Sequence, residues 1–313
     1  MFHMKAIEQV DEITVTALSD VNEERMNDVQ KNCNASGLYI DYRDLLADPA
    51  VDAVAVNTPP RFHEAMVLDA LKSGKHVLCE KPLAETVEGC FKIKELQNET
   101  GVTVLPAHNY AFTPSLAKIV SYVDEGAIGQ VTGVQVSFEN LLKSYRSETD
   151  FRENLGNGVV EDVLPHVLSV VYPIVGHIDE VDSLDWWCKE YEVCDNMDAK
   201  FVSKTGIPVV VSMSWTKLRP RFSLTVNGEK GSLYSDLMME PYKVELKTGD
   251  QTSIWNEKGI SWYIDLVKFR HPSFRNQYRH FCDLIKNGGS PLITLDDEIN
   301  ILEVMGKVSG RMV

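Results

Sequence analysis

Between Ile13 and His108, short β-branched runs alternate with stretches of helical composition, and this alternation limits the fold more than any other feature of the 313-residue chain. ITVTALSD (Ile13 to Asp20) is followed by EERMNDVQKNC (Glu23 to Cys33). VDAVAVNTPP (Val51 to Pro60) stops at two prolines, which cannot donate to a sheet ladder. RFHEAMVLDALKSG (Arg61 to Gly74) then closes on a glycine suited to a helix C-terminal cap. KHVLCEKP, TVEGCFKIKELQNETG and VTVLPAHN repeat the unit as far as Asn109. Strands separated by helices of this length run parallel, because the chain must return along the face of the sheet before the next strand begins. The spacing predicts a doubly wound, nucleotide-binding α/β domain over residues 1–109.

After the helix FTPSLAKIVSYVDEGAIG (Phe112 to Gly129) the texture changes. VTGVQVSFE, IPVVVSMSW, RFSLTVNG and YKVELKTG follow one another with turns between them, the pattern of a largely antiparallel sheet. Two amphipathic helices, Arg275 to Gly288 and Leu295 to Gly310, finish the chain. The second domain is therefore expected to be α+β over residues 110–313, with its last helices able to pack back on the first.

A dinucleotide-binding domain normally opens with a strand, a G-x-G-x-x-G turn and a helix whose amino end holds the pyrophosphate. That motif is absent, and FHMKAIEQV (Phe2 to Val10) reads as the tail of the first helix. The expectation is a Rossmann domain truncated at its front, from a fragment or a start at an internal methionine.

A formal net charge of −15 speaks against a nucleic-acid backbone or an anionic membrane surface as partner, since both require a basic face. No apolar run is long enough to span a bilayer, and the amino end lacks the apolar core of a signal peptide, so a cytoplasmic protein is expected. The six cysteines form no C-x-x-C pair and the eight histidines are scattered, so neither a disulfide framework nor a metal site is expected. Asp20 ends a strand, where a carboxylate accepts hydrogen bonds from the ribose hydroxyls of NAD and repels the 2′-phosphate of NADP. SDVNEE also reads as a helix start, so a capping role for Asp20 stays open.

The stretch VNTPPRFHEAMVLDALKSGKHVLCEKPLAET (Val56 to Thr86) carries three linked motifs: the turn Thr58-Pro59-Pro60, an H-x-x-x-A-type helix from His63 with Val67 in the last place, and Glu80-Lys81-Pro82. It resembles the nucleotide-binding domain of the Gfo/Idh/MocA family, named for glucose–fructose oxidoreductase and inositol dehydrogenase. AHNYAFTPS, GAIGQV and the closing helices extend the resemblance over nearly the whole chain. It implies oxidation of a secondary alcohol on a sugar, cyclitol or nucleotide sugar by NAD(P), in a homo-oligomer. The cofactor side is then expected to include Asp20, Asn57, Thr58, Pro59, His63, Glu80, Lys81 and Asn109, although His63 by itself reads more as a residue packed on its helix and Asn109 equally as a structural turn residue.

The resemblance also matches Gly156, Gly158, Asp162 and His166 to a glycine-rich stretch leading into D-x-G-x-H. Lys81 is expected to stabilise the alkoxide that forms as hydride leaves, and His166 to take the hydroxyl proton with Asp162 positioning the pair. Leu164, Pro165, Ser169 and Ala111 depart from the family pattern and bear on substrate identity. Pro165 suits the first turn of an apolar helix, where a histidine could instead cap or pack. DWWCKEY (Asp185 to Tyr191) is expected to bury its tryptophans in the core or between subunits. Two competing readings remain, a non-catalytic sensor of nucleotide or sugar and an inactive fragment.

Overall fold

A computed structural model describes residues 2–144 and 156–312. The first part gives α1 (Phe2–Ile7), β1 (Ala17–Ser19), α2 (Glu23–Gln30), β2 (Gly37–Tyr39), α3 (Tyr42–Ala47), β3 (Ala53–Val56), α4 (His63–Lys72), β4 (His76–Glu80), α5 (Val87–Thr100) and β5 (Val104–Ala107). Then come α6 (Pro114–Asp124), β6 (Val131–Leu141), α7 (Val159–Val175), β7 (Ile178–Trp187), β8 (Asn196–Ser203), β9 (Pro208–Ser214) and β10 (Thr216–Gly228). The chain ends with β11 (Ser232–Asp236), β12 (Lys243–Thr248), β13 (Gln251–Asn256), α8 (Trp262–Val267), α9 (Pro272–Asn287) and α10 (Leu295–Ser309). No helix among the described residues is long and apolar enough to cross a membrane.

Two compact units result, and neither is contiguous in sequence. One comprises Ile7–Ala107 with Gln277–Ile299; the other comprises His108–Asn276, the chain from Asn300 onward and the residues up to Ala6.

In the first unit every strand pairing is parallel. β1 pairs with β2, and β3, β4 and β5 form a separate three-stranded sheet. The neighbour relations β2-β1 and β3-β4-β5 are those of strands 3-2 and 4-5-6 in a doubly wound sheet of order 3-2-1-4-5-6. β4 has neighbours on both sides and reads as an unbroken apolar run: Val77, Leu78 and Cys79 are fully buried. β2 carries no sequence signal, because its three residues are too few for a periodicity to show. A Cβ on its Gly37 would lie 2.8 Å from the Tyr39 ring and 3.2 Å from the Cβ of Ala17, so a larger residue there would have to displace that ring. α5 begins where the Thr86 side chain accepts from Gly89 N at 3.0 Å and ends at Gly101 with φ +68°.

The second unit is built on an eight-stranded sheet of order β13-β12-β11-β10-β6-β9-β8-β7. All its pairings are antiparallel except β6 with β9, between which the chain makes α7, β7 and β8. Along β6, Val134, Val136 and Phe138 turn inward while Thr132 and Gln135 are exposed, the period-two alternation of a sheet with one covered face. The core includes Phe201, Trp215 and Phe222 from the sheet and the apolar side chains of α7. β7 lies at the sheet edge, and Trp186 and Trp187 on it are 38% and 41% exposed, so they are not core residues.

Candidate active site

In the first unit the polar residues of interest follow the carboxyl ends of parallel strands, where open α/β sheets gather ligands. Asp20 follows β1. Its Oδ1 accepts from Asn22 N at 2.9 Å and its Oδ2 lies 3.5 Å from Arg25 Nη1, so it tightens the turn before α2, whose N-cap is Asn22 and not Asp20. A carboxylate offers about four acceptor sites, so these contacts leave capacity for ribose hydroxyls. Asn57 and Pro59, in the turn after β3, are exposed, while Thr58 is half-buried with its hydroxyl toward Met66 Sδ at 3.5 Å.

Lys81 follows β4 directly and is half-buried. Its backbone N–H donates to Glu80 Oε2 at 3.2 Å, and the next peptide, Lys81-Pro82, is cis. Two buried side chains fix this segment. Leu83 N donates to Glu298 Oε1 at 2.8 Å, and His63 places Nδ1 at 2.7 Å from the carbonyl oxygen of Pro82 and Nε2 at 2.7 Å from that of Thr58. The sequence motif sets His63 on the cofactor side. With 1% exposure and both ring nitrogens taken by carbonyls, it instead joins two turns and offers neither nitrogen to a ligand. Glu298 does not stand out in the sequence, where its only signal is an acid among the apolar positions of an amphipathic helix. Cys79, buried beside Glu80 and Glu298, has its thiol pushed far above the usual range, chiefly by burial.

In the second unit the site residues converge on α7 and on the turn after β5. Asp162 and His166 are four residues apart on α7 and share one face of it. His166 sits between two rings: Tyr110 meets it edge-on at 5.3 Å and Phe138 lies parallel to it at 6.3 Å. Asn109, 6% exposed, donates from Nδ2 to Ser273 Oγ at 2.9 Å, and that hydroxyl lies 2.7 Å from His271 Nδ1. Burial pushes the His271 imidazole down to about 4, so near neutral pH it carries one ring proton, which Nε2 gives to the Leu237 carbonyl at 3.1 Å. Nδ1 must then accept from Ser273, leaving the serine oxygen to accept from Asn109, so the amide orientation of Asn109 is set. His271 and Ser273 carry no sequence signal, because only the tertiary fold brings the start of α9 to this turn.

The start of α7 is decided by a remote loop. Val159 N donates to the Cys194 carbonyl at 2.7 Å. Asp195, fully buried, accepts from the backbone N–H groups of Lys189, Glu190 and Tyr191 and so shapes that loop. Gly158 has φ +54°, and a Cβ on it would lie 2.0 Å from the Cys194 carbonyl oxygen. Gly158→Ala is expected to cost about 3 kcal/mol, from backbone strain and overpacking together, read as a lower midpoint in chemical denaturation. Because the helix begins at Val159, Pro165 is its seventh residue and not part of the first turn; it removes the hydrogen bond that its position would otherwise give to the Glu161 carbonyl. Glu153 to Leu155, which open this constellation in the sequence, lie outside the described residues. Among the described residues no group of three or more His, Cys, Asp or Glu is placed to hold a metal ion.

Known proteins share this architecture. Residues 1–108 match the family model described as oxidoreductase family, NAD-binding Rossmann fold, and residues 116–234 match the GFO/IDH/MocA C-terminal domain. The chain is 26% identical over 181 residues to levoglucosan dehydrogenase of Pseudarthrobacter phenanthrenivorans, an alignment covering 55% of this chain and 46% of that protein. It is 24% identical over 303 residues to myo-inositol 2-dehydrogenase of Thermotoga maritima, covering 94% of this chain and 87% of the relative. With D-apiose dehydrogenase of Paraburkholderia graminis it shares 22% identity, covering 97% and 82%. The levoglucosan dehydrogenase alignment thus spans about half of that relative's length, whereas the other two span most of theirs.

Among solved structures, levoglucosan dehydrogenase in complex with NADH and levoglucosan superposes with a TM-score of 0.86 at 18% identity, covering 99% of this chain and 93% of that one. A probable dehydrogenase from Thermotoga maritima gives 0.83 at 22% identity, covering 99% and 92%. With matched domain models over most of its length and the same architecture, the chain belongs to the Gfo/Idh/MocA oxidoreductase family.

Proposed function

We propose that the protein is an NAD(P)-dependent dehydrogenase acting on a secondary alcohol of a sugar, cyclitol or nucleotide sugar. The observation that carries this reading is Lys81 at the carboxyl end of β4, its backbone held from both sides by buried side chains. A lysine whose backbone is held in this way suits a role in which its point of attachment must not drift. The residues fit the two ends of a dinucleotide: Asp20 has acceptors for the adenosine ribose, and the turn Asn57 to Pro59 with Glu80, Lys81 and Asn109 suits the nicotinamide end. No glycine-rich pyrophosphate cradle occurs in the sequence. Bound nicotinamide would supply the two-electron acceptor.

Lys81 donates to the substrate hydroxyl oxygen and stabilises the negative charge that develops there as the C–H bond breaks. The imidazole of His166 accepts the hydroxyl proton, and Asp162, one turn earlier on α7, positions that ring or binds a neighbouring hydroxyl. The alcohol thus loses a hydride and a proton and leaves as a ketone. Cofactor binding belongs to the part ending near Asn109 and substrate recognition to the remainder of the chain. The relatives' substrates, levoglucosan, myo-inositol and D-apiose by name, support the sugar and cyclitol class.

The Asp20 carboxylate favours NAD. Arg25, 3.5 Å from it, supports the second reading, because an arginine in that region can receive a 2′-phosphate. The free state of all six cysteines suits a reducing compartment, the cytoplasm. A homo-oligomer is proposed from family membership, and light scattering on the purified chain checks it.

The deciding experiment is a panel of polyols, sugars and nucleotide sugars assayed for nicotinamide reduction with NAD and NADP in parallel. Turnover of at least one secondary alcohol is expected. No turnover with either cofactor, from protein that binds NADH, would favour a sensor over an enzyme.

A further inference from the structure

At the amino end of α10 the sequence TLDDE puts three acids in the first turn, where the helix dipole favours negative charge. Thr294 and Asp297 cap each other there: Thr294 N donates to Asp297 Oδ2 at 2.7 Å, and Asp297 N donates to Thr294 Oγ1 at 3.1 Å. Lys94 of α5 pairs with Asp296. The third acid, Glu298, turns away from solvent and is fully buried. Its Oε1 accepts from Leu83 N at 2.8 Å, across 215 residues. That bond runs in one direction only, because an amide donates and a carboxyl oxygen accepts. The thiols on either side feel the acid as well: burial first and Glu298 second push Cys90 of α5 up, and burial, Glu80 and Glu298 push up Cys79 of β4.

We propose that Glu298 is a positioning residue: by holding the Leu83 amide it fixes the backbone point from which Lys81 reaches the substrate. Between the end of β4 at Glu80 and the start of α5 at Val87 the chain is in neither strand nor helix, so no ladder or helix bond places Lys81. Side-chain bonds to this segment decide its course instead. Leu83 is itself fully buried, and its amide has no water to turn to when the acceptor is removed.

A buried carboxylate loses its hydration, which an apolar residue on the same helix face would not. What the acid adds is an acceptor, aimed two residues past Lys81 from a helix end that is itself fastened by a reciprocal cap and by Lys94. Without that acceptor the segment settles elsewhere, and a shift of about 1 Å at a reacting group costs on the order of 10²-fold in rate. The expected loss is therefore in placement of the ammonium, with the fold and the cofactor contacts largely retained.

The kinetic part of this inference rests on the dehydrogenase reading; the hydrogen-exchange part does not. In the parent chain the Leu83 amide is expected to exchange slowly, and fast exchange there would overturn the hold before any substitution is made. Glu298→Gln keeps an oxygen acceptor at the same reach, whereas Glu298→Met keeps the length and offers only a weak sulfur acceptor. Exchange followed by mass spectrometry on peptides covering residues 81–86 should rise about tenfold or more in Glu298→Met and stay near the parent in Glu298→Gln. With kcat read well below each variant's unfolding midpoint, Glu298→Met should lose about 10- to 100-fold, with NADH affinity within about twofold of the parent, and Glu298→Gln should stay within about threefold. In a Lys81→Ala background Glu298→Met should lower the residual rate by less than about threefold, because the group it places is gone. Equal losses in both backgrounds, or a glutamine variant as impaired as the methionine variant, would overturn the positioning role. If Glu298→Met does not fold, Glu298→Asp, which withdraws the acceptor by one methylene, is read in the same way. A chain without turnover on any alcohol would count against the proposed function, while exchange at Leu83 would still decide the hold.

Discussion

Lys81→Ala is expected to lower kcat on a responsive sugar about 10²- to 10³-fold while leaving NADH affinity within a few-fold of the parent, as measured by steady-state kinetics beside fluorescence titration of the cofactor. The magnitude is that of deleting one preorganised donor aimed at a developing oxyanion. The expected split follows from the timing of the interaction: the substrate hydroxyl carries little charge in the ground state and much more as hydride departs, so the ammonium contributes mainly to the transition state. Lys81→Met tests charge against volume, because it keeps most of the apolar stem and should lose as much activity as alanine. Lys81→Arg should recover little, since a planar fork does not place its hydrogens where a compact ammonium does. Full turnover in Lys81→Ala would end the mechanism, whatever the family.

His166→Asn is expected to reduce kcat about 10²- to 10⁴-fold, the range for removal of a general base, in the same assay. The flanking rings of Tyr110 and Phe138 hold the imidazole plane, so the asparagine keeps a polar group on the same face of α7 but supplies no basic nitrogen. The fold should tolerate it, because the residue is half-buried and borders the aromatic cluster without forming the centre of the core. If kcat stays near that of the parent while thermal stability drops, His166 packs and does not take the proton, and the base must be sought elsewhere. Asp162→Asn separates orientation from chemistry: it should cost less than His166→Asn, because it leaves the imidazole in place.

Much of the candidate site is legible in the amino-acid order. The placement of Lys81 after a strand follows from an apolar run ending at charges, and that of Asp20 from the same rule applied to β1. Both are local features, written within a few residues of the side chain they position. The resemblance adds Asp162 and His166, and it is the structure, by starting α7 at Val159, that puts both on one helical face. The sequence misleads where a remote contact decides the outcome. Pro165 reads as a first-turn proline because nothing near it shows that the Cys194 carbonyl takes the N–H of Val159 and starts the helix six residues earlier. His63 enters the cofactor side through its motif while its own position reads as packing on its helix, and in the structure its ring nitrogens meet backbone carbonyls five and nineteen residues away.

The amino-acid sequence by itself determined the alternation of strands and helices through Asn109, the change to an antiparallel sheet after it, and which residue types end each parallel strand. Hydrophobic period, proline and glycine stops, and helix caps act over one or two turns of chain, so they can be read without knowing what lies alongside. The tertiary structure alone decided the division of the parallel strands into two sheets, the hold of Glu298 on Leu83 across 215 residues, and the Asn109–Ser273–His271 chain of hydrogen bonds. These depend on buried polar groups finding partners when distant segments meet. The need for a partner is general, but which partner is at hand is set only by how the segments pack.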